Sequence, residues 1–185
     1  MSTSAYHHGN LRRTLIAAAL EQLKAGGAAS VGLREAARAA GVSPSAPYRH
    51  FSNRNALLAA VAAEGFRNFH AALRAERANG LAAMGQAYVR FALENPALFR
   101  LMFSPEVEQG GDPLLRAEAQ SALTLVAEVT EPGAQAVGPA TIGAWALVHG
   151  LAQLLLDEQI PGLDADGITA LVAAVTTRWS GTQSA

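Results

Sequence analysis

The stretch from Leu33 to Phe51 reads LREAARAAGVSPSAPYRHF, the pattern of two short helices meeting at a tight turn. Ser30 stands where it can cap the first helix, which runs to about Ala40 with Leu33, Ala36 and Ala37 facing inward. Gly41 permits the left-handed residue of a sharp turn, Val42 plugs the angle, and Ser43-Pro44 starts a second helix that reaches only about Phe51. Pro44 and Pro47 keep that second helix short, because proline is harmless only in a first turn.

This is helix-turn-helix geometry, in which the first helix crosses a nucleic-acid backbone and the second enters the major groove. A helix, a glycine and a helix alone would be weak evidence. Here Tyr48, Arg49, His50 and Arg54 follow as a cluster of donors that can reach phosphate oxygens, and Arg34 opens the preceding helix.

Working outward, Asn10 can cap a helix whose stripe is Leu11, Leu15, Ile16, Ala19, Leu20 and Leu23, ended by Gly26-Gly27. Ser52 and Asn53 restart the chain into a long helix that ends near Asn79. Beyond it the pattern predicts helices over 80–94, 96–103, 113–130 (capped by Asp112), 139–158 and 166–179. The stretches Pro105 to Asp112 and Glu131 to Gly138 read as loops that can move.

Composition agrees with an all-α fold. The 185 residues include 41 Ala against 24 Val, Ile and Thr together, and half are hydrophobic, which excludes intrinsic disorder. There is no cysteine, so disulfides, thiolate metal sites and thiol catalysis are excluded and a reducing cytoplasm suits the chain. Pro132 to Leu156 carries no formal charge, but four Gly, two Pro, Gln135, Gln153 and His149 interrupt it, so it reads poorly as a membrane span.

The net charge of −1 argues against a uniformly basic binder of nucleic acid, yet it hides a division. Residues 1–78 hold ten Arg or Lys and four Glu, a charge of +6; residues 79–185 hold four Arg and eleven acids, a charge of −7. A basic head joined to an acidic remainder fits a chain of which one part meets a polyanion.

The stretch AGVS-PSAPYRHF-SNRNALL resembles the DNA-binding domain of TetR-family transcriptional regulators, with Gly41, Val42, Ser43, Tyr48, His50, Phe51 and Leu57 in register. The opening YHHGNLRR resembles a start found in one branch of that family. PALFRLMFSP (96–105) and AWALVHGL (144–151) resemble the second domain of the branch named for a Trp-His-Gly signature, here Trp145, His149 and Gly150. The resemblance implies an N-terminal helix-turn-helix domain over 1–55, the joining helix 53–79, and an effector-binding and dimerisation domain over 80–185. It implies that Tyr48 and His50 contact phosphates, with Arg54 where the family usually has Lys. Base reading then falls to Ser43, Pro44, Ser45 and Ala46, and to Arg34. That surface offers few hydrogen bonds, so thymine-methyl contact and DNA shape supply part of the specificity.

In the acidic half, helix 139–158 is apolar around much of its circumference and must be buried on more than one side. Packed with the last helix against the same pair of a second subunit, it makes a four-helix homodimer interface through Val148, Leu151, Leu155, Leu171, Val175 and Trp179. Two-fold symmetry then sets two recognition helices roughly 34–36 Å apart, or a multiple, on a palindromic operator. Tyr88, Phe99, Met102, Phe103, Trp145 and His149 are candidates to line a site for a small, largely apolar effector. His7 and His8 have no third partner for a metal, and no cofactor motif, paired carboxylates or nucleophile–base spacing is present. The function read from the sequence is a ligand-responsive repressor. Its competitors are an all-helical enzyme or carrier for an apolar molecule and a nonspecific architectural DNA binder.

Overall fold

A computed structural model describes residues 4–108 and 112–182, and side chains for residues 11–107 and 112–179. The side chains of His7, His8 and Asn10, and Gln109 to Gly111 of the first expected loop, lie outside the described residues. Every long element is an α-helix: α1 (Ser4–Gly26), α2 (Leu33–Ala39), α3 (Arg54–Ala75), α4 (Leu81–Glu94), α5 (Pro96–Met102), α6 (Pro105–Glu108), α7 (Pro113–Thr130), α8 (Pro139–Leu156) and α9 (Ala165–Thr182). The described residues form two compact units, Met1–Phe66 with Ala97–Ala117, and Arg67–Pro96 with Glu118–Ala185.

In the first unit the apolar stripe of α1 is buried as its spacing requires, with Leu15, Ala19 and Leu23 fully covered. The helix begins at Ser4, ahead of the cap expected at Asn10, since no proline interrupts residues 4–10. Ser30 does not cap α2. Its hydroxyl donates back to the carbonyls of Gln22 and Gly27, while the Gln22 side chain accepts from the Gly32 N–H. The hydroxyl thus ties the turn after α1 back to the last turns of that helix, and extended Gly32 leads into α2. Gly41, at φ 68°, closes α2: its N–H donates to Arg38 O and that of Val42 to Ala37 O, the paired bonds of a Schellman turn.

The second helix of the motif shrinks to one 3-10 turn, Ala46–Arg49, with Pro47 buried. Pro44 and Pro47 have no N–H to give, so an α-ladder cannot build across them. Arg54 opens α3 and faces inward: Nε donates to Val31 O at 3.0 Å, a terminal nitrogen donates to Ala28 O, and another lies 3.6 Å from a Glu106 carboxylate oxygen. Helix α5 crosses α3 at Gly65, where a Cβ would lie 2.8 Å from Met102 Sδ and 2.9 Å from Leu98 Cδ1.

The second unit is built on α4, which packs against both α8 and α9. Gly85 makes the approach possible, because a Cβ there would lie 2.9 Å from Thr176 Cγ2 and 3.2 Å from Val148 Cγ1. Asp112 caps α7, accepting from Leu114 N at 2.8 Å and Leu115 N at 3.2 Å. The second expected loop is pinned rather than loose. Glu131 accepts from the Thr141 hydroxyl at 2.6 Å, from Gly138 N at 2.8 Å and from Thr141 N at 3.3 Å. These donors, the Thr141 hydroxyl foremost, hold the Glu131 carboxyl below the usual glutamate range. Helix α8 is long and apolar enough to cross a membrane, with mean hydropathy 1.3 and 28% of it buried in this chain.

Two expectations follow. A carboxyl whose folded pKa is depressed stabilises the fold above its unfolded pKa, and the benefit is lost as pH falls through the folded value. Thermal melts should therefore show Glu131→Gln less stable than the parent at neutral pH and the difference vanishing as the medium becomes more acidic than glutamate's ordinary pKa; a pH-independent difference would refute the role. Gly85→Val should lower stability by about 1–3 kcal/mol in urea denaturation through overpacking against Thr176 and Val148.

Candidate nucleic-acid interface and apolar cavity

One surface of the first unit collects donors around the α2 turn. Arg34 and Arg38 lie on the exposed side of α2, opposite buried Leu33, Ala36 and Ala37. Ser43, Pro44 and Ser45 are exposed with the two hydroxyls 3.2 Å apart, and Ala46 is half-buried. Tyr48 is 52% exposed, unusual for an aromatic ring, and Arg49 beside it is exposed. A phenol held into solvent between serines and guanidinium groups is a polar handle aimed outward. His50 is half-buried against Phe51, with ring centroids 6.4 Å apart. Phe51 is buried and carries the Arg12 guanidinium 5.4 Å above its ring.

Arg54 is engaged by Val31 O, Ala28 O and Glu106, so its donors hold the α1–α2 connection to the start of α3. Arg38 was not among the expected residues, although its spacing of four from Arg34 places both on one helix face.

In the second unit, Tyr88, Trp145 and His149 come together as a hydrogen-bonded chain. Trp145 Nε1 donates to the Tyr88 oxygen at 3.1 Å, and the Tyr88 hydroxyl lies 2.8 Å from His149 Nδ1. Indole can only donate, so the Tyr88 oxygen accepts from Trp145, and which of Tyr88 and His149 donates in the second bond is set by the histidine tautomer. Burial pushes the Tyr88 hydroxyl pKa up and the His149 pKa down, so both groups favour their neutral forms. Tyr88 and Trp145 also border a cavity of about 30 Å³ whose other walls include Met84, Val148, Thr176 and Trp179. That is room for a water or two. Of the remaining expected effector residues, Phe99, Met102 and Phe103 belong to the first unit. Phe103 meets Phe66 edge-on at 5.3 Å and Phe99 at 4.9 Å, and Met102 packs on Gly65.

Of the residues expected at a subunit interface, Leu151 is buried within one chain and the other five are half-buried. Leu151 is buried with Val89 and Val172, and Val148, Leu155, Leu171 and Val175 pack against that cluster. Trp179 covers Gly143, where a Cβ would stand 3.1 Å from its ring. Apolar surface remains on the other side of α8, where Ile142 and Leu154 are each 47% exposed and Ala146 lies between them.

Comparison with known proteins accords with this architecture. Residues 15–61 match the family model of bacterial regulatory proteins of the tetR family, and residues 81–178 match that of a tetracyclin repressor-like C-terminal domain. The narrower Trp-His-Gly branch stays a resemblance. A protein of unknown function from Rhodococcus sp. RHA1 is 34% identical, with a TM-score of 0.72 over 96% of this chain and 98% of its own. A TetR family transcription regulator from Marinobacter aquaeolei VT8 shares the fold at 20% identity, with a TM-score of 0.60 over 95% and 97% of the two chains. The fatty acid degradation regulator FadR from Bacillus halodurans does so at 17% identity, with a TM-score of 0.63 over 91% and 97%. No curated protein sequence matches significantly. With both family models in place over a helix-turn-helix head and a helical second part, the chain belongs to the TetR family of transcriptional regulators.

Proposed function

We propose that the protein is a cytoplasmic, non-enzymatic repressor that binds a palindromic operator as a homodimer and releases it when a small apolar effector is bound. The observation that carries the reading is the exposed group of Arg34, Arg38, Ser43, Ser45, Tyr48 and Arg49 around the α2 turn. Tyr48 and Arg49 take phosphates, His50 assists from its half-buried position, and Arg34 with Ser43 to Ala46 addresses the groove. Residues 1–55 form the reading head, 53–79 the joining helix and 80–185 the sensor and dimerisation part. The exposed apolar side of α8, Ile142, Ala146 and Leu154, extends the dimer contact beyond the residues named from sequence.

An effector has to open its site. A cavity of about 30 Å³ is far below the few hundred Å³ a typical ligand fills, so the bound state is a conformer in which flexible Met84 and its neighbours have moved apart. The ligand acts by preferring that conformer. An apolar lining whose polar groups Tyr88 and Trp145 are already bonded, Tyr88 also to His149 behind it, favours an uncharged molecule.

Selection from random DNA with the purified protein should enrich a near-palindrome. Tyr48→Phe and Arg49→Ala should each weaken binding across sequences, about 3- to 10-fold for a charge-assisted contact, and Arg49→Ala should lower the salt slope by about one. Arg54→Ala should instead lower the melting temperature of the head. Selection without an enriched palindrome, together with catalytic turnover of an apolar compound, would favour the enzyme reading. Leu154→Glu should shift the protein toward monomer in size-exclusion chromatography with light scattering, while a dimer unchanged in this variant and in Ile142→Glu would remove α8 from the interface.

A further inference from the structure

One face of the second unit carries a stripe of basic side chains. Arg67, His70, Arg74 and Arg77 recur along one face of α3 and the turn that follows it, and α7 lies alongside. Ion pairs close the two ends: Arg67 to Glu118 at 3.0 Å and Arg77 to Glu128 at 2.8 Å. The pairs are ten residues apart on both strands of the contact, so α3 and α7 run in the same direction over about 15 Å at 1.5 Å per helical residue.

Between the pairs the match fails. Residues 119–127 contain no acid, and α7 offers Gln120, Ser121 and Thr124 there. The one acid on the α3 side, Glu76, is turned to Arg90 at 3.6 Å and to the Asn79 amide at 2.7 Å. His70 and Arg74 have no hydrogen-bond or ion-pair partner among the described residues, and they border an open groove of about 370 Å³ with those three α7 side chains, Leu125 and the Arg77–Glu128 pair. Gln120 and Thr124 make only a long 3.5 Å contact with each other. A guanidinium, an imidazole, an amide and the Thr124 hydroxyl thus line a groove whose one acid, Glu128, is already paired with Arg77.

We propose that this groove binds a small tetrahedral oxyanion, the phosphoryl group of a phosphate monoester, with Arg74 as its charged fork and His70, Gln120 and Thr124 as further donors. A carboxylate has two oxygens and would leave part of this donor set unused, whereas a phosphoryl group presents three. Glu118 and Glu128 are each committed to another arginine, Arg67 and Arg77, which leaves the Arg74 charge without an acid of its own until a ligand arrives. This site is separate from both the reading head and the cavity at Tyr88.

The test is an NMR titration of the full-length, nitrogen-15-labelled protein with inorganic phosphate, ionic strength held constant with sodium chloride. Saturable shifts should appear at the Gln120 side-chain amide and the backbone amides of Ser121, Thr124 and Arg74. Arg74→Gln should raise the apparent Kd about tenfold, the equivalent of about 1.4 kcal/mol for one charge-assisted contact. Arg74→Lys, which keeps the charge and loses the fork, should fall between. Acetate at equal ionic strength should bind more weakly than phosphate. Shifts confined to Arg34, Arg49 and their neighbours, an Arg74→Gln variant that binds phosphate like the parent, or acetate binding equal to phosphate would each overturn the proposal.

Discussion

Seven consecutive residues of α3, Leu57 to Ala63, are each no more than 3% exposed. A helix covered around its whole circumference must be approached from every side, and neighbours close in only where side chains are small. Four of the seven are alanine, and Gly65 follows where α5 crosses. The alanine richness of the chain is therefore more than a helix-forming tendency, because it sets how near the surrounding helices come. The same need governs the second unit, where Gly85 lets α4 nest between α8 and α9.

Helix placement was legible in the sequence because apolar spacing and breakers carry it. The stripe of α1, the Schellman close at Gly41, the Asp112 cap and the bounds of α4, α7 and α8 follow from local rules. What escaped local reading depended on partners distant in the chain. Ser30 looked like a cap but donates to Gln22, eight residues back, and Arg54, expected at phosphate, also bonds Ala28 and Val31. Glu131 pins a stretch whose Gly and Pro content suggested a mobile loop.

The candidate sites divide along the same line. Exposure of Arg34, Ser43, Ser45, Tyr48 and Arg49 was foreseeable because they sit opposite an apolar stripe or on a turn. Which aromatics share a cavity was not, since composition alone cannot separate Tyr88 and Trp145 from Phe99 and Phe103. For a helix as apolar as α8, sequence shows that several sides need cover and not which side the same chain covers.

The 3-10 turn at Ala46–Arg49 has a thermodynamic corollary. Two prolines fix φ at Pro44 and Pro47, and the Schellman close fixes the entry at Gly41 and Val42, so little backbone freedom is left in the free protein. A surface already set in shape loses little conformational entropy on docking, and it also adapts poorly to a misfitting partner. On the proposed reading, a partner that misfits this turn must itself deform, because the backbone here has little slack to give.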